Sequence, residues 1–136
     1  MKLAAAYLSA MLMTGPAVAQ DSDILAACAA AAIGSPECDA EALSEALGVL
    51  SAGDVRVFAS YGMESFAMLT ALRYASSAIY FASEGEGCVA EEERTAAIEI
   101  WSIGVRLPDD APEVVAERFA VFDGIMDNIV QMEVAC

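Results

Sequence analysis

Apolar residues recur along this chain at intervals of three and four, the period of an amphipathic helix, and Gly or Pro stands at each interruption. No segment shows the apolar and polar alternation of a half-buried strand. A first helix is expected from about Asp23 to Ile33, where Ile24, Leu25, Cys28 and an alanine run compensate for its short length, and Gly34 ends it. Ser35, Pro36 and Glu37 then supply a cap, a first-turn proline and an acid at the positive end of the helix dipole. A second helix is predicted to start there, with Ala40, Leu43, Leu47 and Leu50 on one face and Gly53 at its close. Asp54 is placed to cap a third and longest helix, Val55 to about Ser83, whose stripe is Phe58, Tyr61, Phe66, Leu69, Leu72 and Ile79. Gly62 is the position at which that helix can kink or break.

The turn Glu84-Gly85-Glu86-Gly87 leads into a fourth helix, Val89 to Leu107, with Ala97, Ile98, Trp101 and Val105 on one side. Glu92, Thr95, Glu99, Ser102 and Arg106 form its polar stripe, and Pro108 stops it. Asp110, followed three residues later by Glu113, has the spacing of a capping acid, and Val115, Phe119, Phe122, Met126 and Ile129 make the core stripe of a fifth helix. Short connections favour antiparallel neighbours, so the expected fold is all-α, an antiparallel bundle of four to five helices. That order places Cys28, Cys38, Cys88 and Cys136 at one end of the bundle.

The N-terminal segment changes the compartment. Lys2 gives a positive start, Leu3 to Thr14 an apolar run, and Ala17-Val18-Ala19 a small-residue cleavage site, the pattern of a secretory signal peptide over residues 1–19. Removing it leaves a single helical domain, residues 20–136, in an oxidising compartment, the periplasm or the exterior. The apolar stretch Phe66 to Ala82 is broken by Thr70, Arg73, Ser76 and Ser77, so the mature chain is expected to hold no transmembrane segment.

Charge then narrows the partners. The sequence has 21 acidic residues against 6 basic ones and no His, a formal charge of −15. Lys2 lies in the leader, so the mature cations are Arg56, Arg73, Arg94, Arg106 and Arg118. This balance argues against nucleic acid, whose binding draws on Lys and Arg neutralising phosphates, and favours a basic protein partner. Without imidazole there is no His-based triad and no His-ligated zinc, and the expected protein is not an enzyme and carries no cofactor. Glu113/Glu117 and Asp123/Asp127 have the spacing of paired carboxylates, but neither a Glu-x-x-His motif nor a calcium loop accompanies them, so no metal is expected. Met63, Met68, Met126 and Met132 fall at different helix phases and read as core fillers rather than copper ligands.

Four cysteines behind a leader read as disulfides, with three connectivities available. The favoured pairing is Cys28 with Cys38, within one hairpin, and Cys88 with Cys136, between neighbouring helix ends. No C-x-x-C pair suggests redox catalysis. The densest charge run, Glu91-Glu92-Glu93, is the first place to test for contact with a basic partner. Its simpler explanation is a run of acids at a helix start.

The order Leu25-Ala26-Ala27-Cys28, Tyr61-Gly62, Cys88 and Cys136 resembles that of small helical periplasmic immunity proteins, which neutralise cell-wall amidase effectors delivered by type VI secretion. The family places its second cysteine beside the Tyr-Gly stretch and Phe-Pro before its last, whereas this chain has Cys38 and Ala135. The resemblance implies a helical fold and an inhibitory, non-catalytic role. Two functions follow as expectations: an exported binding protein that captures a basic partner, or an envelope-stress, acid-responsive chaperone-like protein that exposes apolar surface as its carboxylates protonate.

Overall fold

The computed structural model describes residues 15–48 and 65–136, with side chains given for residues 23–48 and 67–136. Five helices account for these residues, with no strand among them: α1 (Gly15–Ala30), α2 (Ala40–Gly48), α3 (Ser65–Ser83), α4 (Gly87–Gly104) and α5 (Glu113–Gln131). Residues 1–14 of the expected leader, and Leu50, Gly53, Asp54, Phe58, Tyr61, Gly62 and Met63, lie outside the described residues. The described α1 includes Ala17-Val18-Ala19, so a cut before Gln20 would fall within this helix.

The core gathers Leu25, Leu43, Leu47, Leu72, Ile79, Phe122, Ile125 and Ile129, each essentially inaccessible to solvent. On α3 the buried face is Met68, Ala71, Leu72, Ala75 and Ile79, whereas the expected Leu69 is only half-buried. Alanines take that face because α3 packs closely on α4, and small side chains let backbones approach. Along α4 and the two residues after it, Ala97, Trp101 and Val105 are buried and Ile98 is half-buried, while Glu92, Thr95, Glu99, Ser102 and Arg106 are exposed. Val115, Phe122, Met126 and Ile129 of the α5 stripe are buried, and Phe119 is partly so.

Helix ends depart from the sequence reading in six places, the first being the start of α1 at Gly15 rather than Asp23. Helix α1 stops at Ala30, before Ile33, and α2 starts at Ala40 rather than at Ser35. The intervening residues wind through turns, with Cys38 N donating to Ser35 O at 3.0 Å and Gly34 N to Cys38 O at 2.9 Å. The Cys28–Cys38 disulfide, with Cα atoms 4.9 Å apart, draws this loop against α1, so its backbone cannot continue either helix. Asp39 caps α2 instead, its Oδ2 accepting from Ala42 N at 2.9 Å. Helix α4 begins at Gly87, which puts Cys88 inside its first turn, and ends at Gly104, short of Leu107. Pro112 occupies the N-cap position of α5 with no side-chain cap bond, so Asp110 does not play the capping role expected of it.

Tertiary contacts replace those local signals. Asn128 Nδ2 on α5 donates to the carbonyl oxygens of Cys28 (2.8 Å), Ala29 (3.4 Å) and Ala31 (3.0 Å), satisfying acceptors that the end of α1 leaves open. The two helices can meet this closely because residue 124 is Gly. A Cβ there would sit 3.0 Å from Ala29 O and 3.2 Å from Ala29 Cβ. Between α4 and α5, Trp101 stacks on Phe119 at 5.6 Å and donates Nε1–H to Asp123 Oδ1 at 3.0 Å.

Beyond α5, residues 132–136 run along the start of α4. Arg94 joins them, donating to Met132 O and to the Glu91 carboxylate, with which it forms a salt bridge. The Cys88–Cys136 disulfide closes this contact with Cα atoms 4.4 Å apart. Glycine is required at position 87, where a Cβ would lie 1.7 Å from Ala135 O. Both expected cysteine pairs are thus formed, and no cysteine is free.

Candidate binding cleft

Helices α2 and α3 are fixed side by side by a reciprocal pair of hydroxyl bonds: Ser44 Oγ donates to Ser76 O at 2.8 Å and Ser76 Oγ to Ser44 O at 2.6 Å. Each hydroxyl satisfies a backbone carbonyl of the other helix, so the polar atoms of this seam are matched without water. A cleft of about 830 Å³ opens over it. Glu41 and Glu45, one turn apart on α2, line one side; Arg73, Tyr80 and Phe81 of α3 and Glu84, just past its end, line the other. The periods match the geometry, since residues three and four apart share a helix face.

Tyr80 is 52% exposed, the only tyrosine among the residues given side chains to be so open, and its ring meets Phe81 edge to face at 5.3 Å. Ser83 Oγ donates to Tyr80 O at 2.7 Å and closes the last turn of α3 beneath it. The cleft therefore offers three carboxylates, one guanidinium and an aromatic surface on a floor held by two serines. Such a lining favours a cation with an apolar body, because carboxylates attract the charge while the ring faces cover the stem.

The run singled out in the sequence lies elsewhere. Glu91, Glu92 and Glu93 occupy the second turn of α4, whose first turn holds no acid, so the dipole explanation weakens: that effect fades within one turn. Glu92 is exposed and Glu93 half-buried, while Glu91 is engaged by Arg94. The structure does not bring these three residues into the cleft. Sequence reasoning passed over Glu41/Glu45 and Tyr80/Glu84, although both pairs have the four-residue spacing that marks a shared face. Among the described residues no group of three or more Asp, Glu or Cys side chains is arranged to hold a metal ion, and no helix is long and apolar enough to cross a membrane.

The buried methionines Met68 and Met126 pack in the core. Asp123, one of the paired acids, is occupied by the Trp101 indole. Trp101 itself is buried, and among the described residues Tyr80 is the exposed large aromatic. Comparison with known proteins finds no matching family model, curated protein or solved structure.

Proposed function

We propose that this chain is a non-catalytic exported binding protein, an antiparallel disulfide-stapled bundle that captures a basic protein in the periplasm, in the manner of an immunity or inhibitor protein. The observation that carries the reading is the acid-lined cleft between α2 and α3, with Tyr80 open beside Glu41, Glu45 and Glu84. The excess of 21 acids over 6 bases supports it, because a strongly negative field speeds encounter with a cationic partner. Two disulfides agree with export to an oxidising compartment. The same charge argues against nucleic acid as a partner.

Two acidic regions divide the work. The acidic run on α4, with Glu92 exposed, steers the approach, and the cleft receives a basic side chain of the docked partner. Affinity isolation from periplasmic extract, followed by binding kinetics at two salt concentrations, tests this. Replacing Glu41, Glu45 and Glu84 together with Gln is expected to weaken binding about tenfold, mainly through faster dissociation, because a charge pair at a partly desolvated interface carries more than an exposed one. Replacing Glu91, Glu92 and Glu93 with Gln should chiefly slow association and flatten its salt dependence. A partner that binds both triple variants with unchanged rates would sink the reading.

A further inference from the structure

The two disulfides occupy opposite environments. Cys28 and Cys38 are inaccessible to solvent and belong to the hydrophobic core, whereas Cys88 and Cys136 are both exposed and lie outside it. Cys88 also sits in the first turn of α4, where unpaired backbone N–H groups and the positive end of the dipole stabilise a thiolate. A thiol that forms a stable thiolate is a good leaving group in disulfide exchange. We propose that Cys88–Cys136 is a redox-operated strap: a dithiol reductant opens it while Cys28–Cys38 stays closed, releasing residues 132–136 from α4 with the helical fold kept.

The step balances as ordinary exchange. A thiolate of the dithiol attacks Cys136 Sγ, forming a mixed disulfide as the Sγ–Sγ bond breaks and Cys88 leaves as a thiolate. The second thiol of the reductant then displaces Cys136, so the reductant ends as a disulfide. The protein gains two electrons and two protons. Besides the covalent bond, the segment is held by Arg94 donating to Met132 O, by half-buried Met132 packing against the core, and by the close seat of Ala135 over Gly87, while Glu91 on the same helix steadies Arg94. These residues are exposed or half-buried, and Met132, at the start of the segment, is the one that packs against the core cluster. Opening the bond therefore removes the covalent tie at the far end of the segment and leaves the packing of Leu43, Leu72, Phe122 and Ile129 untouched.

The test treats the oxidised protein with graded dithiothreitol under native conditions, labels thiols with a mass-coded alkylating reagent and maps the peptides. Backbone hydrogen exchange and circular dichroism are measured on the same samples. Cys88 and Cys136 should label together at least about tenfold faster than Cys28 and Cys38, since a buried bond reacts only after the structure opens. Exchange should rise at residues 87–94 and 132–136 while α1, α2 and α3 keep their protection and the helical signal persists. Cys136→Ser should reproduce that exchange pattern without reductant. Loss of both disulfides at one rate overturns the proposal, as does resistance of Cys88–Cys136 until the protein unfolds. Reduction that leaves residues 132–136 as protected as before would also overturn it, by showing that the bond is not what holds the segment.

Discussion

Asn128 does for α1 what a local cap does elsewhere, and it does so from 100 residues away in sequence. Its single amide faces three carbonyl oxygens beside the buried Cys28, so truncation would leave acceptors unpaired in a place water reaches poorly. Asn128→Ala is expected to cost about 2 kcal/mol, read as a lower urea midpoint with an unchanged slope, because orphaned buried polar groups carry most of their desolvation penalty. Ser35 is the converse: its buried hydroxyl has no hydrogen-bond partner. Neither role was legible in the sequence. Ser35 reads as a helix cap from its neighbours Pro36 and Glu37, and nothing next to Asn128 indicates which backbone it will meet. Arg94 teaches the same lesson: its pairing with Glu91 has the local i,i+3 spacing, but its bond to Met132 O depends on a segment that arrives only after α5 ends.

At the scale of elements, helix identity was legible and helix ends were not. The apolar period of three and four is set by the faces that α2, α4 and α5 bury, and Leu43, Leu47, Trp101, Phe122 and Ile129 are buried where that period places them. Ends are decided by competition among the last few backbone groups, a contest of about 1 kcal/mol that a disulfide or a tertiary amide readily overrides. The loop between α1 and α2 shows this, because the Cys28–Cys38 bond moves the cap from Ser35 to Asp39. Asp39→Ala should therefore destabilise the protein by about 1 kcal/mol in thermal melting, whereas an alanine at Asp110, which caps nothing, should leave the midpoint almost unmoved. The cysteine pairing was legible for a better reason: each partner lies at or within a few residues of the end of a helix whose existence the pattern had already established.

For the whole molecule, the acidic balance was plain from the sequence, but the cleft was not, since it exists only where α2 meets α3 and the Ser44–Ser76 seam fixes their separation. Circular dichroism should show a helical spectrum without a strand component. Full reduction in urea should lower the unfolding midpoint, the Cys88–Cys136 loop alone contributing about 4 kcal/mol in the chain-entropy account. That loop also governs how the protein bears force. Its sequence separation of 48 encloses all of α5 and nearly all of α4, so a pull transmitted through Cys136 passes straight into Cys88 while α5 lies on a side branch and carries no tension. Stretched from its two sides, the oxidised chain would withhold roughly 160 Å of contour, at about 3.4 Å per residue, until the bond is cut. The helices that build the C-terminal half of the core are thereby shielded from mechanical unfolding on one side only, and tension entering from α3 meets the first turn of α4 as the point of load.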